Sequence, residues 1–69
     1  MPRYFFHLHF ETRIEDDRIG TEFPSIEAAI MDATQARLEI IRDEGLEDCR
    51  IEITDQAGHV LATVPQPDN

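Results

Sequence analysis

The sequence has no lysine, one cysteine, three glycines and four prolines among its 69 residues, and each scarcity excludes something. A lone Cys49 can form no disulfide within the chain and belongs to no cysteine-based zinc pattern, which points to a reducing compartment. No run approaches the roughly 18 apolar residues that a membrane helix needs. The opening Met1-Pro2-Arg3, followed by aromatics and two histidines, lacks the apolar stretch of a signal peptide. A soluble, cytoplasmic protein is the expectation. With no glycine-rich phosphate loop and no serine, histidine and aspartate in a suggestive order, the chain shows no signature of a catalytic centre.

The want of lysine leaves six arginines against 15 acidic residues and a formal net charge of −9. Nucleic-acid binding draws its affinity from cations that neutralise phosphates, so it is excluded as the main task. An anionic membrane surface is disfavoured for the same reason. A basic partner protein would be attracted.

What is present reads as one small domain. A chain of this length buries only about 60% of its unfolded surface, so added stability from self-association is expected. Residues 3 to 11 alternate, with Tyr4, Phe6, Leu8 and Phe10 on one face and Phe5, His7, His9 and Glu11 on the other. That is a strand with one face on a core. From Thr12 to Pro24 the chain turns polar around Glu15-Asp16-Asp17, a run read as a solvated acidic loop. A short strand around Ile19 to Phe23 is expected to return along the first, because a structureless loop of that length is uncommon in a compact domain.

Ser25 is placed to cap a helix, with Glu27 in the first turn and Gly45 at the end. Ile26, Ala29, Ile30, Ala33, Ala36, Ile40 and Ile41 make one apolar stripe, which predicts a helix from about 26 to 44. Arg37 falls within the stripe and is expected to snorkel to water. Met31 and Leu38 start a second stripe on its flank, a candidate contact surface for another subunit. Cys49, Ile51 and Ile53 alternate as a strand, Asp55 to Gly58 supplies a turn, and His59 to Val64 returns. Pro65 to Asn69 reads as a flexible tail.

The order is strand, short strand, helix, strand, strand. It predicts an α+β two-layer sandwich, an antiparallel sheet of three to four strands with one long helix on one face, formed by a single domain over residues 1–64. The second sheet face would expose Phe5, His7 and His9 for function or for a subunit contact. His7 and His9, with His59 from another strand, are weak candidates for a divalent metal. Cys49 reads as a buried, inert thiol. No cofactor is expected, and a domain this small offers little room for a substrate, so an enzyme is not expected either.

Three stretches resemble a family of small bacterial proteins catalogued as a domain of unknown function: Arg3-Tyr4-Phe5-Phe6-His7-Leu8, then Asp17 through Ala29, then Ile51 through Leu61. The resemblance spans nearly the whole chain and implies no established activity, hence no catalytic residue. A fainter similarity, through Gly20, Pro24, Ser25, Glu27 and Ala28, is to the N-terminal domain of HicB-type antitoxins, which implies a binder of a basic protein. The leading expectation is a non-catalytic protein-interaction module, a homodimer, that uses Phe5, His7 and His9 or Met31 and Leu38. A metal-binding protein and an antitoxin-like binder are the alternatives.

Overall fold

The structure, a computed structural model, describes residues 1–66. Its elements run β1 (Arg3–His9), β2 (Ile14–Glu15), β3 (Thr21–Glu22), α1 (Ile26–Glu44), β4 (Arg50–Thr54) and β5 (Val60–Val64). All pairings are antiparallel, in the order β2-β1-β4-β5, with β3 also pairing β1. The α+β architecture is the one expected, with five strands in place of three or four. Of the expected tail, residues 67–69 lie outside the described residues.

The strand alternation sets the two faces. Phe6 lies opposite Ile53 and Leu8 opposite Ile51, and Ile51 and Ile53 in turn face Val64 and Ala62. These residues join Tyr4, Cys49, Ala29 and Ala33 in one core, in which Ile51 and Ile53 are fully enclosed. Phe23 stacks on Phe6 at 5.7 Å between ring centroids and closes the core near β3.

The helix begins and ends as the sequence requires. The Ser25 hydroxyl accepts from the Ala28 N–H at 3.2 Å, and Gly45, at φ 68°, donates its N–H to the Ile41 carbonyl. A left-handed residue is needed there, and glycine meets it without a Cβ penalty. Small Ala29 and Ala33 let α1 sit close on the sheet, where it packs across β4 and β5. Arg37 does more than reach water: its Nε donates to the Cys49 carbonyl at 2.7 Å and fixes the lead into β4. No helix among the described residues is long and apolar enough to cross a membrane.

The segment between β1 and α1 holds the expected short return strand, as β3 within Ile19 to Phe23, and adds one that was not expected, β2. Phe10 donates to the Arg13 carbonyl in a tight turn, and Ile14–Glu15 pairs back on Leu8 and His9. The chain then leaves β1 and rejoins it at Thr21–Glu22, opposite Arg3 and Tyr4. One edge of β1 is therefore covered twice, with a gap at its middle.

Candidate functional site

Asp17 fills that gap. Its Oδ2 accepts from the Phe6 N–H at 3.1 Å, a strand donor left without a strand partner. Its Oδ1 accepts from the Ile19 and Gly20 N–H groups at 3.0 and 2.9 Å, closing a turn in which Gly20 stands at φ 75°. Partial burial pulls the Asp17 pKa up, but the three N–H donors and nearby His7 pull it further down, so the carboxylate is held below its ordinary range. The acidic run is thus not simply a solvated loop, because its third member is a bracket on the sheet edge.

His7 completes the bracket on the face away from α1. Its Nδ1 receives the Asp17 N–H at 3.3 Å, and its Nε2 lies 3.0 Å from the Thr54 hydroxyl. These partners assign the neutral ring its proton at Nε2, which donates to Thr54. Asp16 Oδ1 also stands 3.4 Å from Nδ1 and would take over that nitrogen in a protonated ring. Thr54 is the one buried polar residue of the described chain, and His7 satisfies it.

Phe5, His7 and His9 do share one face, as the alternation predicts, but that face is not bare. Phe5 and Arg3 press on Gly20: a Cβ there would stand 2.8 Å from Phe5 Cε2 and from Arg3 Cγ. The His7 and His9 side chains are each only 20% exposed. His9 Nε2 is 3.8 Å from Glu52 Oε1 on the neighbouring strand. The physical reason is the doubled edge, since residues 16–20 fold against this face on their way to β3.

His59 stands apart in the β4–β5 turn, its Nδ1 3.2 Å from Asp55 Oδ2. Asp55 Oδ1 accepts from the Ala57 and His59 N–H groups, and these bonds hold the Asp55 pKa down. His7, His9 and His59 therefore answer to three different partners. Among the described residues no three histidine, cysteine, aspartate or glutamate side chains are grouped to hold a metal ion. Cys49 is 1% exposed, and burial raises its thiol pKa, which opposes formation of a nucleophilic thiolate.

The other predicted contact residues stand out from the surface. Met31 is 74% and Leu38 52% exposed, and Thr34 lies between them, one turn from each. Thr34, Ile30 and Arg37 line a groove of about 230 Å³ whose other wall is Ala62 to Gln66 of β5 and its continuation. Val60 and Leu61 are also exposed. The groove joins one side of α1 to the last strand, while Met31 and Leu38, nearly opposite sheet-facing Ala29 and Ala33 around the helix, stand on its outer side.

That strand ends the sheet, and among the described residues nothing pairs with its outer edge. The direction of its free groups follows from the ladder. The Phe6 N–H points away from β4 toward Asp17, so Phe6 and Ile53 form a non-hydrogen-bonded pair. Ile53 then turns its groups to Ala62, and the next residue, Thr63, turns its N–H and carbonyl outward. Val60-Leu61-Ala62-Thr63-Val64 carries no charge, a signal present in the sequence but meaningful only once the strand is known to be an edge.

No curated protein and no solved structure matches the chain. A family model described as Domain of unknown function (DUF6894) matches residues 3–67, in agreement with the resemblance carried by the first strand, the Asp17 turn and the closing hairpin. The chain is a member of that family.

Proposed function

We propose that this protein is a non-catalytic protein-interaction module that associates with itself as a homodimer. The observation that carries the reading is the outer edge of β5, five uncharged residues at the end of the sheet, and a second apolar patch is supplied by exposed Leu38 and Met31 on the outer side of α1. Natural sheets protect such edges with charge, proline or very short strands. The opposite edge of this sheet has the last device, since β2 and β3 are two residues each. β5 has none along its length, apart from an irregularity where it starts, opposite Thr54.

The non-catalytic part of the reading rests on how the polar side chains are used. His7, Asp17 and Thr54 are engaged with one another and with backbone groups, and the only cysteine is enclosed. The cleft lined by His9, Phe10, Glu11, Asp48 and Arg50 is open and shallow. Sedimentation equilibrium between 1 and 200 µM in 0.15 M salt tests the proposal. A monomer–dimer equilibrium is the expected result, and a monomer throughout that range would overturn it.

A further inference from the structure

We infer that His7 is a pH-operated clasp: neutral, its ring holds residues 16–20 on the sheet through the Asp17 main chain, and protonated, it lets that N–H go and binds the Asp16 side chain instead. The device does not depend on self-association. Two bonds of different kind tie Asp17 to β1. Its carboxylate accepts from the Phe6 N–H at 3.1 Å, and its own N–H donates to His7 Nδ1 at 3.3 Å. The second bond exists only while Nδ1 keeps a free lone pair.

In the neutral ring Nε2 holds the one proton and donates it to Thr54 Oγ1 at 3.0 Å. Asp16 Oδ1 stands 3.4 Å from Nδ1, so two acceptors face each other there with no proton of their own to share. A proton taken from solvent onto Nδ1 inverts both relations. The Asp17 N–H and the new Nδ1–H become two donors set against each other, an arrangement that leaves the amide unpaired. The Asp16 carboxylate meanwhile gains a charge-assisted bond. Nε2 keeps its proton and its Thr54 partner in both states, so the ring has no need to turn and the exchange is confined to Nδ1.

The ring is within reach of solvent and the added charge does not stand alone. The His7 side chain is 20% exposed and borders an open cleft of about 190 Å³, with Thr54, Asp55 and Gln56 across from it. The charged groups around it come from three places. Asp16, Asp17 and exposed Arg18 belong to the segment folded over the face. Glu52, directly opposite on β4, is shared with His9, and Asp55 in the following turn is engaged by His59. Arg3, on the same strand, is turned to the Ile19 and Gly20 carbonyls and to Glu22. Among the described residues Asp16 is the carboxylate within ion-pair distance of the His7 ring. The Asp17 carboxylate, held below its ordinary range, stays ionised while histidines change charge, so its bond to Phe6 outlasts the one to His7.

Nuclear magnetic resonance of the 15N-labelled full chain tests the clasp between about pH 8 and 5, the interval in which histidines titrate. At pH 8 the His7 ring is expected to carry its proton on Nε2, and at pH 5 on both nitrogens. Across that change the protection of the Asp17 amide against hydrogen exchange, corrected for intrinsic rates, should fall about tenfold, while that of the Phe6 amide holds. His7→Gln, whose side chain keeps an acceptor and a donor but takes up no proton, should leave the Asp17 amide protected at both ends of the range. Asp16→Asn should move the midpoint of the Asp17 change to lower pH by about 0.3 of a unit, the scale of an exposed ion pair. Should either variant fail to fold, the wild-type ring and amides decide alone. A proton on Nδ1 at pH 8, a ring still neutral at pH 5, an Asp17 amide indifferent to the ring's charge, or Phe6 losing protection in step with Asp17 would each overturn the proposal.

Discussion

Asp17 and Gly20 carry more structure than their types suggest. Asp17 links three N–H groups from two parts of the chain; a hydrogen bond to a charged group contributes about 1.5–3 kcal/mol net, less at a partly exposed site such as this. In Asp17→Asn one oxygen becomes an NH2 that meets an N–H donor, so about 2 kcal/mol of stability should be lost at pH 7 in urea titration. The pH dependence has a defined sign. The folded Asp17 pKa is depressed, so its contribution is full above the unfolded value near 3.9 and is lost as pH falls through the folded value. Acid unfolding between about pH 4 and 2 should therefore be shallower in Asp17→Asn than in the wild type; an unchanged slope would mean that the carboxylate is not what the edge depends on. Gly20→Ala meets two obstacles at once, a left-handed φ and a Cβ 2.8 Å from Arg3 and Phe5 side-chain atoms. It should destabilise by about 2–3 kcal/mol, against about 1 kcal/mol for the conformational penalty alone.

At the scale of elements, legibility followed periodicity. α1 was readable from cap to cap because Ser25, seven stripe residues and Gly45 each state the same boundary within the chain itself. Ser25→Ala should accordingly cost about 1 kcal/mol in thermal unfolding, the usual worth of an N-cap. β1 and the β4–β5 hairpin were readable from alternation, and Ile53, fully enclosed between them and the helix, should lose about 3 kcal/mol on change to alanine. β3 was anticipated, as a short strand within Ile19 to Phe23 returning along β1, from loop length and not from period, whereas β2 was not. Two residues make no period, and what holds them is the main chain of β1 together with Asp17, whose partner Phe6 is 11 residues away. The same limit hid half of the candidate site. Met31 and Leu38 could be picked out on the helix, but nothing local says that Val60–Val64 lies at the end of the sheet, because the order β2-β1-β4-β5 is decided by long-range pairing.

For the whole molecule, charge and interface oppose each other. The chain carries −9 in a body of 33 × 28 × 20 Å, although β5 itself is uncharged. Two such bodies with centres about 25 Å apart repel by roughly 13 kcal/mol in water without salt. A Debye length of about 30 Å at 0.01 M leaves several kcal/mol of that, whereas about 8 Å at 0.15 M leaves less than about 1 kcal/mol. An interface of roughly 1,000 Å², the least a specific contact needs, cannot outweigh the first figure and is little affected by the second. Dimerisation should therefore strengthen steeply with salt: at 10 µM, sedimentation velocity should show mostly monomer in 0.01 M sodium chloride and a dimer-rich boundary at 0.15 M and above. Because binding stabilises the folded form by mass action, the thermal midpoint should also rise with protein concentration at 0.15 M and not at 0.01 M. An association that weakens with added salt would point instead to ion pairs between copies, which the uncharged β5 strand does not supply, and would count against association through that edge.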